Sequence, residues 1–151
     1  MTTKHTVTIN GKTVSRRSPR PYEFAIVGIR DYAVDLRRAQ AVDERQERRN
    51  FDWSAGGWRQ FTTWSPAERA ERETRETATQ AQGFEAYLAE VRANKLTALA
   101  ARQASGEFTR PVVLGWSMSR VNAEKMARQY ERHGYIGVML VPVGGSYTQA
   151  R

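Results

Sequence analysis

Cysteine is absent from the 151 residues, and histidine occurs only twice, at His5 and His133. Disulfide staples, thiolate nucleophiles and cysteine-ligated metals are thereby excluded. No H-E-x-x-H spacing occurs, and neither a Walker loop nor a G-x-G-x-x-G fingerprint is present. The glycine pairs Gly56-Gly57 and Gly144-Gly145 lack the strand-to-helix setting that a phosphate cradle needs. Ser54 has no nucleophile-elbow sequence around it. Asp31 and Asp35 share a face if their segment is helical, but Arg30, Arg37 and Arg38 stand beside them as simpler partners. His133 falls at the end of a helical segment, where an imidazole complements the helix dipole. The chain therefore reads as a protein without catalytic residues, cofactor or metal.

Long apolar runs are also missing. Nothing approaches the roughly 18 consecutive apolar residues of a membrane-spanning helix. Met1-Thr2-Thr3-Lys4-His5 contains no apolar signal core, so the expected location is cytoplasmic.

What the sequence does have is charge of one sign. The formal net charge is +8, and 20 of the 24 basic residues are arginine. Such a bias reflects a GC-rich genome, that of a bacterium or a phage living in one, as much as function. The distribution says more. Residues 1–29 carry a net +4, residues 30–104 a net +1 and residues 105–151 a net +3. Two basic sets stand out: Lys4, Lys12, Arg16, Arg17 and Arg20, then Arg110, Arg120, Lys125, Arg128 and Arg132. Lys125, Arg128 and Arg132 follow three-and-four spacing and so share one helix face.

The longest organising stretch is Ser65 to Ser105. Ser65-Pro66-Ala67-Glu68 is a capping box with proline at the first helical position. From there to Ser105 the only glycine is Gly83. An unbroken helix would be about 60 Å long, against a globule about 40 Å across. It must bend at Gly83, project, or pair with another chain. Ala67, Ala70, Thr74, Thr77, Ala81, Phe84, Leu88 and Val91 follow a heptad seam, small residues first and large ones last.

Around this stretch the pattern is mixed. Thr6–Ile9 and Lys12–Arg16 flank Asn10-Gly11, a strong hairpin signal. Tyr22–Ile29 is nearly all apolar, as a central strand requires. Asp31 to Asn50 reads as a helix with an unreadable start. Pro111–Trp116, Arg120–His133 capped by Ser119 and stopped by Gly134, and Tyr135–Val141 form a β-α-β unit whose default is a parallel crossover. The fold expected is α+β in one domain over residues 1–143, with a flexible tail over 144–151. A single mixed sheet combines the hairpin, the central strand and the β-α-β strands. The long helix and a shorter one cover it.

Phe51 to Trp64 holds five aromatic residues, three of them tryptophan, around Gly56-Gly57. Rings of this size bury some 150–250 Å2 each, so they either close one end of the core or form a recognition surface. Tryptophan beside arginine is the composition of interface hot spots and of single-strand stacking platforms. The function expected from the sequence is thus binding. Trp53, Trp58, Arg59, Phe61 and Trp64 would anchor a protein partner or a second copy. The alternative is nucleic acid held by Lys12, Arg16, Arg17, Arg20, Lys125, Arg128 and Arg132. No membrane partner is expected.

Overall fold

The computed structural model describes residues 1–150. The fold is α+β, with six strands and five α-helices among the described residues. The chain gathers into two compact units. Unit 1 comprises residues 1–35 and 101–151, and unit 2 is the intervening 36–100.

Unit 1 contains all the strands. β1 (Thr3–Ile9) and β2 (Lys12–Ser18) pair antiparallel across the expected turn, in which Asn10 and Gly11 both take positive φ. β3 (Phe24–Arg30) does not join this hairpin. It is the middle strand of a second sheet, between β4 (Val112–Ser117) and β5 (Tyr135–Pro142), in the order β4-β3-β5. Both neighbours run antiparallel to β3 and so parallel to one another. The parallel crossover read from the sequence is present, carried by α5 (Arg120–Arg132), but β3 sits between its two strands.

The expected single mixed sheet is therefore two sheets of three strands. The first is completed by β6 (Ser146–Tyr147), which pairs parallel with β1. The tail expected to be flexible is thus hydrogen-bonded: the Gly144 N–H donates to Thr6 O at 2.7 Å and the Asn10 N–H to Tyr147 O at 2.9 Å. Val7 and Ile9 of β1 pack with Ala25 and Val27 of β3 and Val141 of β5, so the two sheets share one core. Successive strand residues face opposite ways. Trp116 packs against this core, whereas its neighbour Gly115 faces α5. A Cβ at Gly115 would lie 2.8 Å from both Met126 Cε and Tyr130 Oη, so a larger residue would have to displace both side-chain ends beneath the helix.

The two places where the chain leaves and re-enters unit 1 are tied together within that unit. The Asp35 carboxylate, 6% exposed, accepts from Arg30 Nε at 2.8 Å, from Arg30 Nη2, and from Arg102 Nη2 at 2.7 Å. Arg102 Nε also donates to Glu107 at 2.6 Å. Arg30 Nη1 donates to His133 O at 2.7 Å. Hydrogen bonds from Arg30, then from Arg102, outweigh burial and hold the Asp35 carboxyl down to about 2. The pairing offered by Arg30 in the sequence is realised.

Unit 2 is helical. α1 (Tyr32–Gln40) carries the chain into it, and α2 (Glu44–Ser54) follows. The single helix expected from Asp31 to Asn50 is thus two. Asp43 starts the second, accepting from the Arg45 and Gln46 N–H groups. A 3₁₀ turn spans Gly57–Gln60. α3 (Pro66–Gln82) begins with the complete Ser65/Glu68 capping box. It ends at Gly83, whose φ of +77° favours glycine, and α4 (Phe84–Ala104) begins at once. The long helix is two helices, and α3 and most of α4 belong to unit 2.

Candidate nucleic-acid interface

The two charge-rich ends of the sequence fall in the same unit of the fold. Unit 1 contains thirteen basic and six acidic residues, unit 2 eleven and ten, so +7 of the net +8 lies in unit 1. There it converges on a groove of about 1020 Å3. One wall is α5, presenting Asn122, Lys125, Arg128, Gln129 and Arg132. The other carries Arg16, Arg20 and Tyr22, from the end of β2 and the segment after it. The floor is β4, from Leu114 to Ser117, with Tyr130 reaching in from α5.

Five cations and no carboxylate line this groove. Among the described residues none of the five has an acidic partner within the 4.0 Å of an ion pair. Elsewhere arginines are commonly neutralised: Arg59 by Glu76, Arg92 by Glu44, Arg102 by Asp35 and Glu107, Arg120 by Glu124. Like charges brought together without counter-charges raise the local potential and attract anions.

The sequence pattern explains the arrangement. Ser119 caps α5 by accepting from the Asn122 N–H at 3.3 Å, which fixes the helix start. Three-and-four spacing then stacks Lys125, Arg128 and Arg132 along the wall. On β2, alternation sends Arg16 and Arg17 to opposite sides. The aromatic floor is built from contacts across long separations. Tyr22 and Trp116 lie 6.2 Å apart at 43°, Arg16 covers Tyr22 at 5.0 Å, and the Tyr130 hydroxyl donates to Leu114 O at 2.7 Å. Behind Tyr22 the buried His5 ring makes an edge contact at 5.3 Å.

Five of the seven cations expected to contact nucleic acid are thus gathered: Arg16, Arg20, Lys125, Arg128 and Arg132. Arg17 does not line the groove, and Lys12 lies at the opposite, turn end of β2. Arg110 and Arg120 lie outside it as well. Tyr22, Trp116, Asn122, Gln129 and Tyr130 were not anticipated as lining. Residues 116, 122, 129 and 130 sit within the same β-α segment as the basic set, which was the signal available.

The aromatic stretch of unit 2 divides between interior and surface. Trp58 is 1% exposed and is the largest fully buried side chain, so as a partner-facing ring it is corrected to a core residue. Trp64 is half-buried, donates from Nε1 to Trp58 O at 3.2 Å and lies under Arg72 at 3.6 Å. Arg59 stacks on Trp58 at 4.6 Å and pairs with Glu76 at 2.8 Å. Only Trp53 and Phe61 of the five present substantial ring area, at 36% and 53% exposure, tilted against each other at 5.4 Å.

Among the described residues, no three His, Asp or Glu side chains come together as a metal site would need, and no helix is long and apolar enough to cross a membrane. No family model matches the chain, and no curated protein or solved structure is significantly similar to it.

Proposed function

We propose that this is a non-catalytic nucleic-acid-binding protein whose unit 1 groove holds the phosphodiester backbone of a single strand. The observation that carries the reading is the set of five cations without acidic partners around one aromatic-floored groove. Cationic walls that track phosphates are working parts of single-strand sites, and the half-buried Trp116 and Tyr130 add ring surface to the groove, whereas Tyr22 is buried at 8% exposure.

The test is a fluorescence-anisotropy titration with single- and double-stranded oligonucleotides at two salt concentrations. Saturable binding of the single strand that weakens steeply with salt supports the proposal. Absence of salt-sensitive binding would exclude it.

A protein partner is the second reading, favoured by the exposed Trp53–Phe61 pair in unit 2. If that pair mediates self-association, light scattering detects a species above monomer mass, and Phe61→Asp returns it to monomer. A monomer at all concentrations would remove the self-association version.

A further inference from the structure

We infer that the groove also takes an acidic extended peptide, which adds as a strand to the free edge of β4 and thereby excludes nucleic acid. The regulatory half of this inference rests on the proposal that the groove holds a single strand.

The floor carries the argument. Leu114, Gly115, Trp116 and Ser117 are consecutive, and all four line the groove. Successive strand residues face opposite sides of a sheet. Gly115 lies beneath Met126 and Tyr130 of α5, whereas Trp116 sits beside Tyr22 on the other side. A groove that meets both kinds of residue runs along the edge of the strand. β4 is an outer strand of its sheet, with β3 as its one strand neighbour.

That edge offers main-chain partners. Ser117 O accepts from the Glu23 N–H, on the β3 side. In an antiparallel ladder the adjacent residue turns its N–H and C=O the other way, so those of Trp116 point into the groove. Among the described residues, no hydrogen bond outside the ladder uses them. Leu114 O, two residues back, is taken by the Tyr130 hydroxyl at 2.7 Å. β2, an outer strand of the first sheet, is guarded by Lys12, Arg16 and Arg17, whereas β4 has no charged residue.

Charge complementarity names the occupant. An added strand sends alternate side chains to opposite walls. The residue opposite Trp116 meets the wall of Arg16 and Arg20, and its two neighbours meet the wall of Lys125, Arg128 and Arg132. Acidic side chains suit both walls, so an unbroken acidic run fits. This chain has none longer than Asp43-Glu44, so the occupant is a separate partner and not a second copy.

The experiment uses the full chain with fluorescein-labelled hexaglutamate and with the same peptide methylated at every backbone nitrogen. Unlabelled hexaglutamate is also titrated against a bound, labelled single-stranded oligonucleotide. Hexaglutamate is expected to bind saturably and to displace the oligonucleotide. The methylated peptide keeps its charge but cannot donate to Trp116 O, and is expected to bind at least about fivefold more weakly. Arg16→Ala/Arg128→Ala removes one cation from each wall and is expected to weaken hexaglutamate about fivefold, with circular dichroism confirming the fold. Equal affinities of the two peptides would overturn the inference, because binding would then follow charge alone. An unchanged affinity in the double variant would overturn it as well. Salt-dependent oligonucleotide binding that hexaglutamate does not compete would overturn it and leave the single-strand proposal intact. Hexaglutamate binding that methylation weakens, without any salt-dependent oligonucleotide binding, would overturn that proposal and leave the β4 edge as a peptide site.

Discussion

Neutralising Arg128 and Arg132 tests the electrostatic reasoning quantitatively. Both lie exposed on α5, line the groove and have no acidic partner among the described residues, so alanine at either position removes charge without orphaning a carboxylate. Five cations set an upper limit of five neutralised phosphates, and the three that share the α5 wall, Lys125, Arg128 and Arg132, set a lower figure of three. For single strands log K falls with log salt at about 0.7 per phosphate, so the wild-type slope lies between about −2 and −3.5. Between 50 and 200 mM salt this predicts a loss of affinity between roughly 20-fold and 100-fold. Each alanine makes the slope shallower by about 0.7, and the double variant by about 1.4. Anisotropy at four or more salt concentrations measures these slopes directly. A wild-type slope shallower than about −1 would refute the reasoning. So would a double variant whose slope matches the wild type, because the counter-ions released would then come from elsewhere.

Other consequences follow from packing and pairing. Asp35→Ala leaves Arg30, with 13% of its side chain exposed, without its main counter-charge and should cost about 3 kcal/mol in urea denaturation. Asp35 is held below its ordinary value of 3.8, at about 2, so its contribution is fully present above pH 4 and is lost as pH falls through about 2. That loss amounts to about 2 kcal/mol and should be absent from the acid unfolding profile of Asp35→Asn. Trp58→Ala removes the buried ring of unit 2 and should destabilise by about 3–5 kcal/mol in thermal or urea unfolding, with no change in nucleic-acid affinity where the variant remains folded. Gly115→Val forces a side chain against Met126 and Tyr130 beneath α5 and should lower both stability and binding, which parallel melting and anisotropy measurements would detect.

The parts of the fold legible in the sequence are those fixed by short-range chemistry. Ser65 with Glu68, Asn10 with Gly11, and Ser119 with Gly134 each settle a boundary within a few residues, and each holds in the structure. Asp43 with Gln46 three residues on carries the same information, but the surrounding run of charges obscured it. The sheet arrangement was not legible. Val7 and Ile9 show that the hairpin buries one face, yet that pattern is the same whether the strands extend a sheet edge or pack across its face. β6 is two residues long and carries no periodic pattern of its own. In the site, the cations form two separate sets in the sequence, and the meeting of five of them depends on contacts over separations such as that of Arg16 from Arg128. Trp58 shows the converse: composition marks a ring as valuable without saying which side of the surface it occupies.

The most direct test of the groove is where a strand touches the chain. Ultraviolet cross-linking of a 5-iodouracil-substituted single strand, followed by mass spectrometry, locates the contact residue by residue. Cross-links are expected at the half-buried Trp116 or Tyr130. Adducts confined to the Trp53–Trp64 stretch, or none above a non-binding control, would contradict the account.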